Sequence, residues 1–179
     1  MQITNNFTYS FWVKTSGGAG SNFEGTFISN QFSWPTAGFM IGTYSYKIQV
    51  FSSDGAVYYE RGIGDNNITD NQWHHIAVTF ASGVTKVYID GSLPTNGSGE
   101  FTSTATSISY NNSNPFRIGQ AAAGGNYGHI GQIDEVGIWN TVLTSTQIQS
   151  IYNATSTNLT KDLTTVSGSN LVYWNRMGD

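Results

Sequence analysis

The chain has no cysteine, which excludes thiol chemistry, disulfides and cysteine-ligated metals. Charge is also scarce. Only 10% of the 179 residues are charged, with 7 Lys and Arg against 11 Asp and Glu, giving a net charge of −4. No basic run exists, so nucleic acid and anionic membrane are excluded as partners. No apolar stretch reaches the roughly 20 residues needed to cross a bilayer, and membrane insertion is not expected. Proline occurs only 3 times and strong helix formers are few. What remains is a chain that is 38% hydrophobic and 14% aromatic, with 21 Gly and abundant Ser, Thr and Asn. That mixture suits strands joined by tight turns, and it carries enough apolar residues for one well-formed core.

Alternation locates the strands. From Phe7 to Lys14, the residues Phe7, Tyr9, Phe11 and Val13 share one face. Further strands are predicted over 25–33, 37–43 and 46–52. Asp54-Gly55 then turns the chain into Val57-Tyr58-Tyr59. The strongest strand is Trp73 to Ala81, with His74, Ile76, Val78 and Phe80 on one side and Trp73, His75, Ala77 and Thr79 on the other. His74 is expected in the core, and the two adjacent histidines diverge too far to chelate one metal. Strands over 85–90, 115–120 and 129–139 follow. One short helix is predicted from Thr144 to Asn153, capped by Thr144, with Ile148, Ile151 and Tyr152 as its apolar stripe. Many short strands and one helix imply an all-β, two-sheet antiparallel sandwich with a short helix near the C-terminus. Its expected divisions are a sandwich over 1–154, a Ser/Thr-rich linker over 155–169, and a strand over 170–179 that completes the sandwich or opens a next module.

Three stretches carry a family resemblance. They are Phe11-Trp12-Val13-Lys14, then Asn71 to Phe80 followed by Lys86 to Gly91, then Phe116 to Gly119 with Gly131 to Trp139 and Leu143 to Tyr152. In this order and spacing they resemble the laminin-G-like and pentraxin-like superfamily of concanavalin A-like jelly rolls. The resemblance implies a jelly-roll sandwich that recognises ligands without catalysis. It also implies an opening strand ahead of the first stretch, which this sequence lacks. The chain is therefore expected to be part of a longer protein, or to draw that strand from its tail, where Leu171 to Trp174 resembles the closing strand of pentraxins.

Jelly-roll glycosidases carry two carboxylates on one strand face, about 5 Å apart when configuration is retained. The nearest match here is Gln132-Ile133-Asp134-Glu135-Val136. Gln132 cannot act as a nucleophile, and regular alternation sends Asp134 and Glu135 to opposite faces. A degenerate hydrolase-like domain is thus a remote alternative, and no catalytic residue is assigned. Asp134 is expected to bond turn backbone or to ligate a structural Ca²⁺. The pentraxin calcium site is expected to be missing, because Ala121, Ala122 and Ala123 stand where that family places acidic residues. Trp12, Trp73, Trp139 and Trp174 lie within strands and are assigned to the core. Trp34, Tyr44, Tyr46, Tyr110, Tyr127 and His129 lie in or beside loops. Flat rings among Asn and Gln there suit stacking on sugar faces. The expected function is a recognition or structural module of an extracellular, cell-surface or virion appendage. Its expected partners are a glycan and other subunits of a larger assembly; the alternative is a purely structural decoration domain of a capsid or fibre.

Overall fold

The structure is a computed structural model that describes residues 2–16, 23–33, 35–63, 68–95, 99–121, 127–154 and 161–177. Eleven strands occur among them: β1 (Asn6–Thr15), β2 (Phe23–Ser33), β3 (Ala37–Tyr44), β4 (Lys47–Ser53), β5 (Tyr58–Ile63), β6 (Trp73–Ala81), β7 (Val84–Ile89), β8 (Glu100–Thr102), β9 (Phe116–Ile118), β10 (Gly131–Trp139) and β11 (Leu171–Asn175). They form a six-stranded sheet of order β11-β10-β1-β6-β7-β8 and a five-stranded sheet of order β5-β4-β3-β2-β9. Every named pairing is antiparallel. This is the jelly-roll sandwich that the alternating pattern predicts.

The alternating apolar residues become the core. Phe7, Tyr9, Phe11 and Val13 of β1 and Ile76, Val78 and Phe80 of β6 are all fully buried against the five-stranded sheet. Aromatic rings fill the centre. Phe7 stacks on Phe80 at 5.1 Å and meets Phe39 edge-on at 4.9 Å, while Tyr9 stacks on Phe39 at 5.5 Å. The Tyr9 hydroxyl, the one polar atom of this stack, accepts a 2.8 Å bond from Asn30 Nδ2. Burial pushes its pKa well up, so it remains a neutral phenol.

Part of the outer face of the six-stranded sheet is buried as well. Helix α1 (Ser145–Ala154) starts where the capping signal places it, with Thr144 and Gln147 exchanging reciprocal bonds: Thr144 N–H to Gln147 Oε1 at 2.9 Å, and Gln147 N–H to Thr144 Oγ1 at 3.2 Å. Ile148 and Ile151 join Ala77, Tyr88, Trp139 and Leu143 in a second apolar cluster. Leu163 and Val166 complete it from two turns of 3₁₀ helix, Leu163–Thr165 and Gly168–Asn170. Of the stretch expected as a linker, residues 161–169 are therefore packed turns, and 155–160 lie outside the described residues. Gly91, at φ +76°, lets the Asp90-Gly91 turn pass under the helix: a Cβ there would meet the Tyr152 ring at 3.0 Å. β11 pairs with β10 along the sheet edge, Ile138 opposite Tyr173.

Candidate functional site

Four elements meet at one end of the sandwich, here called the turn end: the β3–β4 turn, residues 68–73, the Asp90-Gly91 turn, and residues 127–131. Thr15 at the end of β1 ties two of them down, its carbonyl accepting from Asn71 N–H at 3.0 Å and its hydroxyl donating to the Ile130 carbonyl at 3.0 Å. Residues 127–129 then cross to the other sheet. Thr26 N–H donates to the Tyr127 carbonyl at 3.1 Å, and His129 N–H donates to the Gly119 carbonyl at 2.8 Å.

This arrangement collects three of the aromatic residues singled out above. Tyr44, Tyr46 and Tyr127 are 42%, 48% and 48% exposed. Thr26 of β2 lies between Gly42 and Gly128, so the Tyr44 and Tyr127 strands are two strand spacings apart, about 10 Å. Tyr46 sits in a two-residue hairpin turn with Ser45 at φ 48° and Tyr46 at φ 66°. Such turns call for Asn-Gly or a similar pair. A tyrosine in the left-handed region costs about 1–2 kcal/mol. His129 takes another role. It packs edge-on against Phe27 at 5.1 Å, and burial holds its pKa below the ordinary histidine range. It is a seam residue joining the two sheets at this end.

Two of the singled-out residues lie elsewhere. Tyr110 packs on the core at the opposite end, its hydroxyl donating to the Ile3 carbonyl at 2.6 Å, and burial raises its pKa. Asp134 lies mid-strand on β10, its Oδ1 accepting from Glu135 N–H at 2.8 Å and Met177 N–H at 3.1 Å. Trp34 lies outside the described residues.

Several expectations need correction. Trp73 is 41% exposed at the turn end, because the first residue of β6 projects beyond the cover of helix α1. His74 is not in the apolar core. Its Nδ1 lies 2.9 Å from Asp90 Oδ2 and its Nε2 3.1 Å from Asp70 Oδ1, so it bridges two carboxylates; the Asp90 bond leads in raising its pKa, against the opposing effect of burial. His75 is the fully buried histidine. It lies under the helix with Nε2 2.8 Å from Ser10 Oγ, and burial lowers its pKa to about 4.

The alternation argument for Asp134 and Glu135 also fails. Between Ser10 and Trp12 of β1, β10 carries an extra residue, and Glu135 has φ 50°. This β-bulge resets the phase. Both carboxylates consequently reach the same C-terminal segment: Glu135 Oε2 accepts from Trp174 Nε1 at 2.7 Å, and its Oε1 pairs with Arg176 Nε at 3.2 Å. Both groups are thus engaged by donors, and Gln132 supplies no nucleophile.

Nor do these residues fit a calcium ion. Asp134 Oδ1 is already held by two N–H donors, and among the described residues no three His, Asp or Glu gather to hold a cation. Exposed Ile130 at the turn end was missed as well, since a lone apolar residue before a glycine carries no sequence signal.

Domain 4 of AbnA, a GH43 extracellular arabinanase from Geobacillus stearothermophilus solved in complex with arabinotriose, is similar with a TM-score of 0.63 and 22% identity, over 82% of this chain and 66% of that one. The native heptameric SAP-like pentraxin from Limulus polyphemus is similar with a TM-score of 0.60 and 17% identity, over 84% and 71%. Domains LG4-5 of the mouse laminin alpha1 chain give 0.58 and 14%, over 77% and 36%. This chain therefore spans just under two thirds of the arabinanase domain and about a third of the laminin pair. At these identities the likeness is one of fold. No curated protein sequence matches the chain. A laminin-G family model matches residues 1–149, and with the sandwich and its order of strands it shows that the chain belongs to the concanavalin A-like lectin/glucanases superfamily.

Proposed function

We propose that this chain is a non-catalytic saccharide-recognition module, working outside the cell as part of a cell-surface or virion appendage, and that it meets its glycan at the turn end. The observation that carries this reading is Tyr46, a half-exposed ring held in a strained left-handed turn where glycine would be cheaper. Backbone strain kept at an exposed aromatic residue is a mark of function rather than of stability. Tyr44, Tyr127 and Trp73 present three further rings at the same end, and Ile130 is 69% exposed among them. Flat rings beside polar groups suit the apolar face and the hydroxyls of a sugar.

The fold supports the reading, since domain 4 of the arabinanase was solved with arabinotriose bound. The engaged state of Asp134 and Glu135 favours binding over hydrolysis. A Ser/Thr/Asn/Gly-rich, cysteine-free composition with 10% charge suits a surface part joined to other subunits.

The test is calorimetric titration with arabinotriose, beside a glycan array, on the unaltered protein and on Tyr46→Ala. A saturable signal that Tyr46→Ala weakens by about tenfold supports the reading, on the scale of one aromatic–sugar contact. A folded protein with no hit on the array and no heat with arabinotriose removes it and leaves a purely structural decoration domain.

A further inference from the structure

An open cleft of about 340 Å³ lies along the β11 edge of the six-stranded sheet, lined by Lys161, Asp162, Thr164, Trp174 and Arg176. It is made by the 3₁₀ turn that begins at Leu163 and by the end of β11, the edge strand of the six-stranded sheet. Its volume lies within the range of small-ligand sites.

The aromatic part of the lining is fixed in advance. The Trp174 indole N–H is bonded to buried Glu135 at 2.7 Å, and the Arg176 guanidinium carbon sits 5.7 Å from the Trp174 ring centre. Glu135 also takes Arg176 Nε, so one carboxylate orients both side chains. The loop side is fixed too: Asp162 Oδ1 accepts from the Thr164 hydroxyl at 2.6 Å and the Thr164 N–H at 3.0 Å. These bonds, with lesser help from Arg176 and Lys161, lower the Asp162 pKa, so it presents a carboxylate.

The chemistry is therefore mixed over a short span. Lys161 and Arg176 bring donors, Asp162 brings an acceptor, and the indole brings a flat apolar surface. A simple anion satisfies the two cations but is repelled by Asp162, and a simple cation meets the reverse problem. A vicinal diol satisfies both, because each hydroxyl accepts from an N–H while donating to a carboxylate.

We propose that this cleft is a second saccharide site, built to take a neutral sugar through adjacent hydroxyls held between Lys161, Arg176 and Asp162 beside Trp174. It is separate from the turn end, since none of its lining residues belongs to the four elements that meet there, and either site can exist without the other. A module with both can engage two units of one chain or two chains at once, which raises apparent affinity without any new contact.

The experiment is NMR titration of the ¹⁵N-labelled protein with arabinotriose, cellotriose and a glucuronate-containing disaccharide. The signals followed are the Trp174 indole N–H and the amides of residues 161–164. At least one neutral trisaccharide is expected to move them saturably and to bind more tightly than the acidic disaccharide. Lys161→Ala is expected to weaken that binding about tenfold, as is Asp162→Asn, which keeps an oxygen for the 3₁₀ cap. No movement of these signals with any of the three sugars overturns the cleft site, even where the amides of 44–46 and 127–130 move and the turn-end reading stands. Tighter binding of the acidic disaccharide, strengthened in Asp162→Asn, overturns the assignment to neutral sugars.

Discussion

Helix α1 and the 3₁₀ turns cover one flank of the molecule, and the turn end is bare; the two regions use aromatic residues in different ways. On the covered flank Trp139 is fully buried and its indole N–H donates to the Val166 carbonyl at 2.7 Å. Trp174 donates to Glu135, and Trp12 stacks on Tyr152 at 5.9 Å. At the turn end Tyr44, Tyr46, Tyr127 and Trp73 keep two fifths to half of their surface in water. The adjacent histidines fall on opposite sides of this divide: His75 belongs to the flank and His74 to the turn end. An aromatic-rich strand protein thus separates scaffold from surface by what the polar edge of each ring meets, and not by how many rings it has.

Mutation should separate the two regions first by stability. Trp139→Ala is expected to cost about 3–5 kcal/mol, since it opens a cavity at the centre of the second cluster and strands the Val166 carbonyl; a urea titration reads the loss. A loss below about 1 kcal/mol would mean that the flank contributes little to the fold.

Acid comes next. The folded His75 has a pKa lowered from 6.5 to about 4, so the folded state binds fewer protons than the unfolded chain between those values. Its contribution is present above about pH 6.5 and is lost as pH falls toward 4, about 3 kcal/mol in all. His74 has the opposite sign. Its raised pKa gives stability that is full below the unfolded value and fades as pH rises through the folded one. Melting temperature against pH is expected to fall on the acid side in the unaltered protein and to flatten there in His75→Gln. His74→Gln is expected to lower melting temperature on the acid-to-neutral side, with the difference from the unaltered protein fading as pH rises through the folded His74 value.

Glu135→Ala is expected to cost about 1–3 kcal/mol, because it leaves the Trp174 N–H without its acceptor, while Glu135→Gln keeps an oxygen for that bond and loses less. Thermal melts of the pair, with Trp emission followed alongside, read both.

The smallest effect has the reversed sign. Tyr46→Gly relieves the left-handed turn and is expected to stabilise the fold by about 1 kcal/mol while weakening arabinotriose binding. A variant that becomes less stable would show that Tyr46 is a packing residue.

Much of the scaffold could be read before folding. The inward face of β1 follows from strict alternation, and β6 keeps its sequence-read bounds at Trp73 and Ala81. The helix start is legible because its capping box is local. What escaped depends on non-local facts. Regular alternation assigns His74 to the interior, but it cannot show that the core ends one residue short of it, or that Asp70 and Asp90 wait there. Nothing in Asp134-Glu135 announces a bulge, since the extra residue exists only relative to β1. The run from Lys161 to Asn170 looks like a linker because its two anchors, Leu163 and Val166, are set among polar residues. At the turn end, loop tyrosines could be named from sequence, but Tyr110 could not be told from Tyr44 without knowing to which end of the sandwich each belongs.

The bulge at Glu135 also bears on how this segment tolerates genetic change. Because Glu135 is the extra residue relative to β1, a single-codon deletion there would take the bulge out and leave the ladder regular. Asp134 would stay opposite Trp12 and Ile133 opposite Val13, each on its present face, while 136–139 stayed in place. A frame-preserving deletion at 135 therefore costs the strand little beyond the carboxylate that holds Trp174 and Arg176.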